Sequence, residues 1–341
     1  MSTGVVNRLG EALHPRRIGA VYVLIVLVVI FGSIRPDAFF SRSTFLIILN
    51  GGAVSGIVAL GVIIPLAAGV FDVSIGYLIA LGGTMVAFSV ATLDLPGTTA
   101  VILTIVAGLI VTLVNIFVVV VMKVPSLIGT LATGLVFLSI ITALSKQQQI
   151  TTNIDRVTQV AGKTFGPIGL PVLVLLGVII VLTFVLHYTS AGRSWFAIGF
   201  DEETARLAGI SVNRLQAAAL VVSGVLAIIA GILITGRIGA GSPTTGPDYL
   251  LPAFTAAFLG ATQFTPGRFN VPGTVLAVFV LGTATVGLNL VGAPVWVAQL
   301  LQGAILIFAV SIETYSKSLI ANSEFLQRRR GRRRVEVEAT T

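Results

Sequence analysis

The chain has 341 residues, 55% of them hydrophobic and only 10% charged, against roughly 25% charged in a soluble domain; this excludes a water-soluble globular protein and leaves a polytopic membrane protein. Cysteine is absent and histidine is limited to His14 and His187, which excludes disulfides and thiolate metal sites. The net charge of +8 is not spread evenly, since seven of the 21 Lys and Arg follow Glu313 in a tail that reads Arg328-Arg-Arg-Gly-Arg-Arg-Arg334, the pattern of a cytoplasmic stop signal meeting anionic headgroups rather than of nucleic-acid binding.

In chain order, an amino-terminal segment over 1–17 carries Arg8, Arg16 and Arg17 ahead of the first apolar run. No small-residue cleavage site follows, so an uncleaved first helix is predicted. A spanning helix needs about 20 apolar residues, and ten candidates lie near 18–34, 45–68, 73–92, 97–122, 126–144, 168–188, 215–236, 249–262, 272–290 and 293–312. They define a transmembrane domain over 18–312, followed by a basic tail over 313–341. The eighth candidate is short and contains Pro252; it is either re-entrant or continues past Gly267. Irregular backbone at membrane depth is tolerated only where protein or a water-filled path satisfies it, and 65–76 and 249–271 are the segments expected to be irregular.

Placing the amino terminus in the cytoplasm puts 15 Lys and Arg inside and 6 outside, the sign that the positive-inside rule requires. Both termini and the polar loop 189–214 are then cytoplasmic, and 145–167 is external. Glycines crowd the spans, among them Gly51, Gly52, Gly56 and Gly61 in the second, Gly82 and Gly83 in the third, and Gly224 and Gly231 in the seventh, as expected where helices associate by close approach. A weak internal echo, with Gly108 seven residues before Asn115 and Gly282 seven before Asn289, and Pro125 nine before Gly134 and Pro294 nine before Gly303, suggests two related halves, a recurrent transporter device. The expected fold class is an all-α membrane protein: a polytopic bundle of about ten transmembrane helices in two related halves, with some broken or re-entrant segments.

No catalytic constellation, metal-ligand spacing or P-loop is present. The chain is therefore not expected to be an enzyme or to bind a cofactor or metal, and its energy source is either an ion gradient or another subunit. Ion coupling needs ionisable groups at membrane depth. Asp72 alone approaches that position, and Asp72 or Ser74 can equally cap span three. The one polar island, residues 199–212, reads as a short helix: Asp201 as N-cap, Glu202 and Glu203 in the first turn at the positive end of the dipole, and Gly209 as the residue that ends it. About seven residues make a helix of roughly 10 Å, too short to stand alone in water. Ala205, Leu207, Ala208 and Ile210 offer it a small apolar face with which to dock; a solvated loop is the alternative.

The island's Asp-Glu-Glu-Thr-Ala-Arg-Leu-Ala-Gly-Ile, after Arg193-Ser-Trp-Phe-Ala-Ile-Gly199, resembles the cytoplasmic loop of permease subunits of bacterial ATP-binding-cassette monosaccharide importers of the ribose, xylose and arabinose type, within the wider branched-chain amino acid permease superfamily. Ala68-Gly-Val-Phe-Asp-Val-Ser-Ile-Gly76 and Leu259-Gly-Ala-Thr-Gln-Phe-Thr-Pro-Gly267 resemble two further motifs of that family in the same order, although Ala68, Phe71, Ala261 and Arg268-Phe-Asn270 depart from its pattern. The likeness runs from about residue 45 to 315. It implies a permease that carries a monosaccharide or similar small polar solute into the cell by alternating access in the bacterial plasma membrane. It also implies a separate ATPase subunit that uses the ATP, a second permease subunit (a homo- or heterodimer) and an external or periplasmic solute-binding protein. The coupling helix toward the ATPase would comprise Asp201, Glu202, Glu203, Ala205, Arg206, Leu207, Ala208 and Gly209. From the broken segments, Asn50, Asp72, Ser74, Thr262 and Asn289 are the candidates for the translocation path. An ion-coupled secondary transporter acting alone is the alternative function.

Overall fold

The computed structural model describes residues 15–151 and 154–311. Most of the predicted amino-terminal segment and all of the basic tail lie outside the described residues. The ten predicted spans appear as ten apolar helices. They are α1 (Pro15–Ile34), α3 (Arg42–Ala67), α4 (Ser74–Ala91), α5 (Gly97–Ile116, prolonged by a π-turn over Phe117–Val121), α6 (Ser126–Leu144), α8 (Leu170–Tyr188), α11 (Val212–Ile238), α12 (Pro247–Ala261), α13 (Val271–Leu290) and α14 (Val295–Ser311). Seven are long and apolar enough to cross a membrane by themselves. Four shorter helices lie at the ends of the bundle: α2 (Pro36–Phe39), α7 (Ile154–Ala161), α9 (Ser190–Phe200) and α10 (Glu202–Leu207).

Helix starts follow local chemistry. The hydroxyl of Ser41 accepts from the Thr44 N–H at 3.2 Å to open α3, and Asn270 Oδ1 accepts from the Gly273 N–H at 2.8 Å to open α13. Proline occupies the first turn of α8, α12 and α13, where no intrahelical donor is needed. The eighth span does not continue past Gly267. It ends at Ala261, so α12 has 15 residues and is about 22 Å long, short of a hydrocarbon core of about 30 Å. Pro252 lies within it without ending it.

The helices fall into two runs of five, α1, α3, α4, α5, α6 and α8, α11, α12, α13, α14, and the second member of each run is the longest. Those two, α3 and α11, pack on each other at the centre. Each also packs on the third and fourth members of the opposite run, α3 on α12 and α13, and α11 on α4 and α5. This exchange of partners is what a pair of related halves produces. The most apolar stretches of α3, α4 and α11 are 67–78% buried whereas those of α6 and α8 are 28% buried, which separates a central trio from a peripheral ring.

Small residues set the crossing of α4 and α11. A Cβ on Gly82 would lie 2.7 Å from the Ile228 carbonyl oxygen, and one on Gly231 would collide with the Ile79 carbonyl oxygen. The α4 and α11 backbones therefore meet directly, and the Thr235 hydroxyl donates to the Gly83 carbonyl at 3.1 Å across the same contact. With no hydrophobic force between helices in lipid, such approach and such bonds hold a bundle together.

Loops cluster at two ends. At one end, the strand Ile150–Thr151 pairs antiparallel with Ala240–Gly241, Thr164–Phe165 pairs with Ile168–Gly169, and Arg156 forms an ion pair with Asp94. At the other, Lys123 Nζ donates to Asn213 Oδ1 at 2.7 Å and the Arg268 guanidinium lies over the Phe196 ring, 5.0 Å from its centroid. Segments assigned to the same side by alternating spans thus touch one another.

Candidate functional site

Two features stand apart from bundle packing: a break in the backbone between α3 and α4, and the short helix α10 at the end of the molecule. The break begins where Pro65, two residues before the end of α3, withholds an N–H from the helix. Gly69 then takes φ +73, a left-handed conformation that ends the helix. The freed backbone groups find side chains rather than water. The Ser126 hydroxyl accepts from the Phe71 N–H at 3.0 Å, and the Thr130 hydroxyl accepts from the Val73 N–H at 3.0 Å. This is the condition for irregular backbone inside a bilayer.

At the centre of the break lies Asp72, only 3% exposed. Its Oδ1 accepts from the Ser74 N–H at 3.0 Å and from the Ser74 hydroxyl at 2.5 Å, and its Oδ2 accepts from the Ser223 hydroxyl of α11 at 2.6 Å. The N-cap of span three is Val73, neither of the two expected residues; Asp72, one residue before it, takes the N–H of Ser74, and Ser74 spends its hydroxyl proton on that carboxylate. Asn115 of α5 donates to the Ser74 oxygen at 2.7 Å, and the Thr133 hydroxyl of α6 donates to Asn115 Oδ1. All five residues are buried. They join α4, α5, α6 and α11 around the broken segment. Asn115, Thr133 and Ser223 were not among the predicted site residues; their signal is a polar side chain within a span, and each of those spans holds other polar residues that do not reach the break.

The remaining path candidates are scattered. Asn50, on α3, accepts from the Gly169 N–H at 3.0 Å and donates to the Leu46 carbonyl at 2.9 Å. It lines a cavity of about 270 Å³ with Lys163 and Arg237, at the end opposite α10. Thr262 ends α12 and gives its hydroxyl proton to the Leu259 carbonyl at 2.7 Å. Asn289 is exposed near the end of α13. Only Asp72 and Ser74 are brought together.

The island contains α10 with the local chemistry that its residues dictate. Asp201 is the N-cap, its Oδ1 accepting from the Thr204 N–H at 2.8 Å. That bond holds the carboxyl below the ordinary carboxylate range. Glu202 forms an ion pair with Arg206 four residues on at 2.6 Å, and Gly209, at φ +82, closes the helix with the Ile210 N–H on the Ala205 carbonyl at 3.1 Å.

The apolar face expected of α10 is divided. Ala205 is buried against Ile198 and Val212, with Ile210 packed beside them, so these residues anchor the helix on its own subunit. Leu207 is 84% exposed, Phe200 is 81% exposed, and Ala208 is exposed. The reason is the 100° step per residue, which cannot place 205 and 207 on one side of a two-turn helix. The helix α9, within the polar loop 189–214, carries α10. Its Trp195 Nε1 donates to the Leu215 carbonyl at 2.8 Å, and its Gly199 lies so close to the end of α3 that a Cβ there would collide with the Ala67 carbonyl oxygen. One backbone contact, Gly199 on Ala67 and Gly69, therefore separates the exposed helix from the polar break.

Comparison with known proteins gives the family and its relatives. The family model described as branched-chain amino acid transport system / permease component matches residues 44–310. Among curated proteins, the chain is 29% identical over 295 residues to the ribose import permease protein RbsC of Escherichia coli K12, covering 85% of this chain and 91% of that protein. It is 30% identical over 331 residues to the fructose import permease protein FrcC of Rhizobium meliloti, with 93% and 91% covered, and 26% identical over 355 residues to the xylose transport system permease protein XylH of Escherichia coli K12, with 86% and 90% covered.

Proposed function

The chain belongs to the family of branched-chain amino acid transport system permease components, and from that premise we propose that it is the membrane subunit of an ATP-binding-cassette importer for a monosaccharide or similar small polar solute. The solute class rests on the relatives, whose names specify ribose, fructose and xylose. A separate ATPase subunit, a second permease subunit and an external solute-binding protein complete the assembly, and both termini and α10 face the cytoplasm.

The observation that carries this reading is the two-sided character of α10. A capped two-turn helix, fixed to its own subunit by Ala205 and presenting Leu207 outward, next to the exposed Phe200 that ends α9, has the form of a part that engages a partner. Movement of the ATPases on nucleotide binding would push on α10, pass through the Gly199–Gly69 contact to the end of α3 and the break at Asp72, and reorient the bundle between outward- and inward-facing states. An ion-coupled carrier would instead need Asp72 free to take up a cation, whereas both of its oxygens are engaged by Ser74 and Ser223.

The test is Leu207→Asp. This exposed position tolerates the charge structurally, so the variant is expected at wild-type levels in the membrane, with uptake and solute-stimulated ATPase activity of the assembled transporter abolished. Normal transport by that variant would sink the assignment of α10 to coupling.

A further inference from the structure

Where α8 meets α9, a cavity of about 460 Å³ opens between the last turn of α8, one side of α9 and the loop 262–270. His187, Arg193 and Arg268 line it together with Thr265, and no carboxylate does. Arg193 and Arg268 are absent from the two ion pairs found among the described residues, Arg156–Asp94 and Arg206–Glu202. Asp201 borders the adjoining cavity that the same two arginines also line, but its carboxylate is engaged by the Thr204 N–H. Arg268 is also positioned. Its guanidinium lies on the Phe196 ring, and the Asn270 amide donates to its carbonyl at 3.1 Å. His187 has Nδ1 on the Thr183 carbonyl oxygen at 3.1 Å, which leaves Nε2 for another partner.

The outer face of α8 leads to this site. Leu176, Ile180 and Phe184 recur every fourth residue and are 51%, 69% and 59% exposed, so they form one lipid-facing stripe. His187 follows Phe184 by three residues and continues that stripe into the cavity. Tyr188, stacked on Phe184 with ring centroids 5.8 Å apart, stands at the end of the span where aromatic residues mark the membrane–water boundary. A hydrocarbon track that ends in a pair of arginines with no carboxylate partner among the described residues is complementary to one class of molecule, an acyl chain bearing a phosphate.

We infer that this cavity binds the headgroup phosphate of an anionic phospholipid, with its acyl chains along Leu176, Ile180 and Phe184. The bound phosphate would tie α9, and through it α10, to the loop 262–270. The proposal is independent of the transported solute.

Full-length protein reconstituted in nanodiscs of phosphatidylethanolamine and phosphatidylglycerol at three to one, then released for native mass spectrometry, tests it. Wild type is expected to retain phosphatidylglycerol, Arg193→Gln with Arg268→Gln to retain about tenfold less, and Arg193→Lys with Arg268→Lys, which keep the charge, to retain most of it. Arg42→Gln, at the opposite end of the bundle, should leave retention unchanged. Equal retention by the double glutamine variant, or the same loss in Arg42→Gln, overturns the proposal. A measurement on wild type needs no variant to fold: photoactivatable phosphatidylglycerol should cross-link to 176–193 and 262–270, and labelling confined to other segments overturns it. Excess inorganic phosphate should release no lipid; release, with phosphate binding to the lipid-free protein, would make this a free-phosphate site and overturn the lipid assignment.

Discussion

The carboxylate of Asp72 accepts from its neighbour Ser74 and from Ser223, 151 positions away. Its work is thus partly local, accepting the N–H of Ser74 at the start of α4, and partly tertiary, holding α11 against a broken backbone. Removing it leaves the Ser74 N–H and the Ser223 hydroxyl without that acceptor in a buried setting. Asp72→Ala is expected to cost about 2–4 kcal/mol, read as a lower thermal unfolding midpoint in detergent, and to lower uptake while leaving the solute affinity of the binding protein unchanged. Asn289→Ala, at an exposed position, is expected to change stability by no more than about 0.5 kcal/mol. If Asp72→Ala unfolds at the wild-type temperature, the network does not hold the break. Asp72 and Ser74 were legible as candidates because a charge interrupts an apolar stretch. Asn115, Thr133 and Ser223 were not, because one polar residue in a span does not reveal which distant residue it meets.

Among the elements, the contact between α4 and α11 shows how much of this fold depends on side chains that are missing. Gly231→Ala would drive a methyl group into the Ile79 carbonyl and the Gly83 N–H, and the two helices would have to separate. The expected cost is about 1–3 kcal/mol, with reduced recovery of folded protein in size-exclusion chromatography. Gly282→Ala, with nothing within 4 Å of the added carbon, should be neutral or slightly stabilising through helix propensity. Equal behaviour of the two variants would remove close approach as the basis of the packing. The glycines themselves were evident in the sequence, but their division into contact and open positions was not. Gly108 and Gly134 lie against Ile228 and Tyr77, while their echoes Gly282 and Gly303 face open space. The same limit applied to α10: cap, first turn and terminating glycine follow from local chemistry, while the inward turn of Ala205 and the outward turn of Leu207 depend on where α9 places the helix.

For the molecule as a whole, the loops separate into two ends, and the proposed orientation, which rests on the positive-inside rule, turns the end with α10 to the cytoplasm. Because the chain has no cysteine, single substitutions report sidedness without background. Leu207→Cys is expected to react with a membrane-impermeant maleimide only in inside-out vesicles, and Gln148→Cys only in intact cells; labelling of both from one side would refute the arrangement. The sequence alone carried the class, the positions of the apolar helices, the broken segment after Pro65 and the capped island, but not the course of the eighth candidate, where 249–261 is a regular helix and only the stretch after it is irregular. Length, apolarity, proline, glycine and cap residues act along the chain and can be read in one dimension. What only the tertiary structure decided was which faces meet. Helices that are apolar on every side carry no amphipathic stripe to orient them. Their packing is settled instead by backbone approach at Gly82 and Gly231 and by hydrogen bonds such as that from Ser223 to Asp72, between residues that the sequence holds far apart.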